Sequence, residues 1–93
     1  MTAQNKTEEP VMGMWSAYSK LTPQDKEVFE EALEGFIGIN YRPLTVATQA
    51  IDGTNYHFKC MACLPPNAIM WEAIIKIYKP LKGKPQIKGI TKL

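Results

Sequence analysis

The sequence predicts an α+β fold, with one helix packed across a four- to five-stranded antiparallel sheet. Three observations carry this. One stretch, from Thr22 to Gly38, has apolar residues at helical spacing behind a strong N-terminal cap. From Pro43 onward the apolar pattern changes to period two. The later runs are separated by turn signals rather than helical crossovers, so neighbouring strands run antiparallel. A helix and a sheet that each carry one apolar face bury those faces against each other.

The elements follow in chain order. Met1 to Pro10 is polar and reads as a flexible tail (1–10), ahead of a single domain over 11–93. Val11-Met12-Gly13-Met14-Trp15 is apolar with one glycine, and makes a short extended segment or a first edge strand. Thr22 caps the helix and Pro23 suits its first position. Asp25, Glu27, Glu30 and Glu31 favour the positive end of the helix dipole. Val28, Phe29, Ala32, Leu33 and Phe36 form the buried stripe, and Gly38 ends the helix. The opposite, acidic face reads as solvated.

Leu44, Val46, Thr48 and Ala50 share one side of the next strand. The two-residue link Asp52-Gly53 then turns the chain, because a type I′ turn needs φ > 0 at both positions. Tyr56, Phe58, Cys60, Ala62 and Leu64 share one side of the following strand; Asn55, His57 and Lys59 take the other. Pro65-Pro66-Asn67 reverses the chain. A strand from Ala68 to Lys79 places Trp71, Ala73, Ile75 and Ile77 on one face, with Ile74 and Tyr78 on the other. Residues 80–85 connect to a short last strand, Gln86 to Leu93. In this up-down-up order Asp52-Gly53 and Pro80–Lys84 lie at one end of the sheet, so any surface they form is composite.

Composition narrows the function classes. A chain of 93 residues makes one domain with one modest core. The net charge is only +2, but its distribution is uneven: acids collect from Asp25 to Glu34, lysines from Lys76 to Lys92. No run of about 20 apolar residues exists to span a membrane. Met1 to Pro10 lacks the apolar centre of a signal peptide. Two localisations therefore stay open: cytoplasmic, or secreted with the leader removed.

No residue pattern supports catalysis, a metal or a cofactor. Cys60-x-x-Cys63 would need two more ligands to hold zinc, and His57 is the sole histidine. The pair lies in a strand-like run where the odd spacing sends the thiols to opposite faces, so both read as unlinked structural cysteines. No nucleophile motif accompanies His57. The C-terminal lysines raise a nucleic-acid reading, but lysines on strand edges also block edge-to-edge aggregation, and no arginine or aromatic code accompanies them.

The stretch Gln49-Ala50-Ile51-Asp52-Gly53-Thr54-Asn55-Tyr56 resembles the inhibitory hairpin of the cystatins, written Gln-x-Val-x-Gly and often continued by Thr-Asn-Tyr. Trp71-Glu72-Ala73 and Lys79-Pro80 resemble the Tyr-Glu-Ala and Lys-Pro-Trp of the plant members. The similarity runs from Gly13 to about Ile90. It implies a cystatin-like fold and a reversible, competitive inhibitor of papain-like cysteine proteases, working as a wedge in the active-site cleft. It further implies three contact elements: a trunk at Val11, Met12 and Gly13; a first hairpin at Gln49, Ala50, Ile51, Asp52 and Gly53; and a second loop at Pro80 and Leu81. The chain departs from the pattern with Asp52 at the tip and Leu81 in place of tryptophan. The implied partner is a papain-like protease, with no nucleic acid, membrane or cofactor. The chain is expected to be a monomer, with a domain-swapped dimer as the alternative. The competing reading is a cystatin-like interaction module without inhibitory activity.

Overall fold

The computed structural model describes residues 13–65 and 69–93. The elements are α1 (Pro23–Ala32), β1 (Asn40–Ala50), β2 (Thr54–Leu64), β3 (Ile69–Lys79) and β4 (Gln86–Lys92). The strands form one antiparallel sheet in the order β1-β2-β3-β4, and α1 lies across one face. The predicted tail (1–10), Val11, Met12, Pro66 and Asn67 of the predicted chain reversal, and Ala68 at the predicted start of the following strand lie outside the described residues.

The N-terminus of α1 is closed by a reciprocal capping box. The Asp25 N–H donates to Thr22 Oγ1 at 3.1 Å, and the Thr22 N–H donates to Asp25 Oδ2 at 2.9 Å. Two otherwise unpaired amides are thereby satisfied. The helix is shorter than the sequence pattern implied. It ends at Ala32 with Leu33 as cap, and Gly35 (φ 81°) rather than Gly38 turns the chain out of helical geometry. Phe36 consequently leaves the predicted stripe, is 42% exposed, and tilts against Tyr41 with ring centroids 5.7 Å apart.

The core lies between α1 and the inner sheet face. Val28 and Phe29 meet Val46, Tyr56, Phe58, Cys60, Ile75 and Ile77. Phe58 is fully buried and sits edge-on to Phe29 at 4.9 Å, so it anchors helix to sheet. Burying a side chain of this class contributes about 1.5–3 kcal/mol. The period-two pattern holds through the middle of β2 and β3: Tyr56, Phe58, Cys60 and Ala62 are buried and pair across to Ile77, Ile75, Ala73 and Trp71. Leu64, expected on the same side, is instead 41% exposed at the end of β2, beyond the cover of α1.

The pattern of β1 needs a correction. The register shifts between Pro43 and Thr45, so Leu44 is an extra residue in the ladder and is 39% exposed rather than facing the core. Pro43 has no N–H to give a ladder, which suits it to this bulge. A second shift, between Lys76 and Ile77, leaves Lys88 as the extra residue of β4. The hairpin link also differs. Ala50 pairs with Thr54, so the loop holds three residues, Ile51, Asp52 and Gly53, and the Ile51 N–H donates to the Gly53 carbonyl at 3.1 Å.

Residues 13–19 run along the free edge of β1 without forming a full strand. Bridges join Trp15 to Gln49 and Ser19 to Val46. Between them the Ser16 hydroxyl takes a carbonyl's place and accepts from the Thr48 N–H at 2.9 Å, while the Ser16 N–H donates to the Thr48 carbonyl at 2.8 Å. This segment occupies the place of a fifth strand.

Candidate functional site

The trunk glycine and both loops meet at one end of the sheet. The Gly13 N–H donates to the Ala50 carbonyl at 3.1 Å, one residue before the first loop. The Gln49 side chain fixes the same junction from the other side: its Nε2 donates to the Gly13 carbonyl at 3.0 Å, and its Oε1 accepts from Asn55 Nδ2 at 3.0 Å. Gln49 and Asn55 are cross-strand partners, so this relay is built into the β1–β2 register. Its amide is thereby spent inside the chain, and Gln49 acts here as a tether between trunk and hairpin.

The first loop rests on the base of the second. Asp52 (φ 46°) and Gly53 (φ 113°) both occupy left-handed backbone, as the Asp-Gly pair requires. A Cβ on Gly53 would stand 2.5 Å from the Lys79 carbonyl oxygen and 3.0 Å from Pro80 Cα. Glycine is needed there twice over, for the positive φ and for the close approach of two backbones. The Tyr78 hydroxyl donates to the Asp52 carbonyl. The two tips are thus one packed unit.

Apolar groups project from this unit. Leu81 is 78% exposed and Ile51 is 41% exposed; Met14 and Trp15, just after Gly13, are also exposed. Single exposed apolar residues are ordinary, but here they cluster on rigid loops at one end, the pattern of a contact surface. Of the predicted set, Gly13, Gln49, Ala50, Ile51, Asp52, Gly53, Pro80 and Leu81 are brought together. Tyr78 and Asn55 belong with them structurally but carried no sequence signal for that role; only the three-dimensional register reveals it.

A shallow groove adjoins the site on the outer sheet face, lined by Trp15, Gln49, Asn55, His57, Lys76 and Lys88, among others. Trp15 stacks on His57 with ring centroids 3.9 Å apart. Burial, and after it the Lys76 ammonium, push the His57 pKa below the ordinary value of 6.5. The neutral imidazole is thereby favoured, and among the described residues no carboxylate lines the groove to orient it as a base.

Both cysteines are free, Cys60 in the core and Cys63 partly covered on the outer face. Burial pushes the Cys60 thiol up to about 12, which keeps it protonated and unreactive. Among the described residues no group of three or more His, Cys, Asp or Glu side chains could hold a metal ion. No described helix is long and apolar enough to cross a membrane.

No protein-family model matches this chain, and no curated protein matches it.

Proposed function

We propose that this chain is a cystatin-like, reversible and competitive inhibitor of papain-like cysteine proteases. One observation carries the reading: Gly13, the 51–53 loop and Pro80-Leu81 converge on a single edge and are tied together there. In the reading, Gly13 and the trunk before it lie in the substrate subsites. The loop tips cover the nucleophile. No peptide carbonyl is offered to the thiolate at attack distance and angle, so no acyl-enzyme forms. Ile51, Leu81 and Met14 supply apolar contact area. The tethers lower the ordering cost of binding, since the loops have little freedom left to lose.

The competing reading, an interaction module without inhibition, draws on Asp52. Its carboxylate stands at the very tip, and closing a cleft over it costs desolvation. A papain titration separates the two readings. Stoichiometric loss of activity, reversed by dilution or by excess substrate, with the chain recovered intact, is the expected result. Full papain activity at micromolar concentrations of the chain would leave the interaction module as the better account. Progressive cleavage between Asp52 and Gly53 at the rate of substrate turnover would rule out the plug mechanism.

A further inference from the structure

Five lysines gather at the end that carries the loop tips. Lys82 and Lys84 are exposed in the 80–85 loop, Lys79 pairs with Thr54 at the end of β3, and Lys76 and Lys88 flank the Trp15–His57 groove. In the two loops the sole acid is Asp52. The exposed glutamates of α1 stand on the helix that covers the inner sheet face, whereas Lys76 and Lys88 line the groove of the outer face. Among the described residues the two loops, the end of β3 and the adjoining groove thus carry five lysines against the single acid Asp52, a local excess that the net charge of +2 hides.

Edge protection does not explain this arrangement. Lysines on an outer strand discourage stray pairing. That accounts for Lys88 on β4, but β3 is an interior strand and Lys82 lies in a loop. Nucleic acid is not favoured either. Single strands bind to open aromatic faces between cations. Here Trp15 lies against His57, and the Lys59 ammonium covers the Tyr18 ring at 5.0 Å. All five cations are lysines, with no arginine fork among them.

We propose that the cationic end selects its partner by charge, and that the partner is a papain-like protease with a cleft rim bearing carboxylates on the side that meets β3 and β4. This rests on the inhibitor reading above. Exposed lysines add little to the strength of a formed contact. Their summed field acts at a distance, orients the approaching partner and raises the association rate. The groove and the 80–85 loop adjoin the tips, so such a rim would face these lysines when the tips enter the cleft.

The test measures association and dissociation rates by stopped flow against two papain-like proteases, one with an acidic rim and one with a basic rim. With the acidic partner, association should slow about tenfold between about 25 and 250 mM NaCl, as screening shortens the reach of the field. With the basic partner it should not slow. The K82E/K84E variant touches only exposed loop positions. It should slow association with the acidic partner about fivefold or more and leave dissociation within about twofold. Inhibition with association rates that ignore both salt and rim charge would overturn this proposal alone. Failure to inhibit either protease would overturn the inhibitor reading and this proposal with it. Saturable binding of a single-stranded oligonucleotide at physiological salt, lost in K82E/K84E, combined with salt-independent protease association, would assign the lysines to nucleic acid instead.

Discussion

The phenol of Tyr78, on β3, donates its hydrogen bond to the main-chain carbonyl of Asp52, at the tip of the loop between β1 and β2. One side chain from the neighbouring hairpin thus fixes the carbonyl of a residue held in left-handed backbone.

Tyr78→Phe keeps the ring and removes only this bond. The expected loss of global stability is modest, about 0.5–1.5 kcal/mol, the net worth of one hydrogen bond. Amide hydrogen exchange should accelerate at Asp52, Gly53 and Thr54 while the centres of β2 and β3 keep their protection. On the inhibitor reading, papain affinity falls several-fold. Unchanged exchange at the tip would mean that the Gly53–Lys79 packing alone holds the loop.

Asp52→Asn removes the tip charge and keeps a side chain that tolerates positive φ. Binding to papain should tighten, because a charged carboxylate costs more to strip of water than a neutral amide. Equal affinity at equal stability would clear the carboxylate and turn attention to Leu81, where the second loop lacks an aromatic anchor.

The thiols should separate cleanly under a thiol-reactive probe. In the folded protein at mildly alkaline pH, Cys63 should react and Cys60 should not, since its pKa is pushed up to about 12 and it is wholly buried. Both should react in denaturant. Mass spectrometry of the unreduced protein should find no Cys60–Cys63 bridge. A quantitative bridge would contradict the strand geometry of β2.

His57 should report on acidity through Trp15. Its folded pKa lies below the unfolded value, so the neutral form is favoured in the fold. Its penalty to stability therefore builds as pH falls from the unfolded value, near 6.5, through the lowered folded one and persists in full below it; above that window it is silent. Protonation should change Trp15 emission with a midpoint below 6.5. Lys76→Ala should move the midpoint upward, and His57→Gln should abolish the transition. A midpoint unaffected by Lys76→Ala would remove the ammonium as a cause.

Local chemistry made some elements readable. Thr22-Pro23 with Asp25 in the third position specifies a helix start almost alone, because its partners lie within one turn. The inward residues of β2 and β3 were legible because alternation there is unbroken. Legibility failed where a long-range contact decides the geometry. Leu44 obeys the period-two pattern and still leaves the core, since the bulge after Pro43 is a property of pairing. Phe36 fits the helical stripe, but Gly35 turns the backbone first. At the candidate site the turn residues and both tips could be placed from sequence. The part played by Tyr78 could not, since its bond to Asp52 spans 26 residues.

The partial strand at residues 13–19 has a consequence for the lifetime of the molecule. It occupies the outward carbonyls of Val46, Thr48 and Ala50, together with the outward amides of Val46 and Thr48. Few backbone bonds hold it among the described residues, so it opens more readily than the interior strands and is the more open to proteolysis. Trimming past Ser19 would therefore do two things in one event. It would strip Gly13 from the contact edge and bare a strand whose main-chain groups then seek another chain. A nicked molecule is expected to leave the soluble pool by self-association, so that loss of competence and removal of the spent protein coincide.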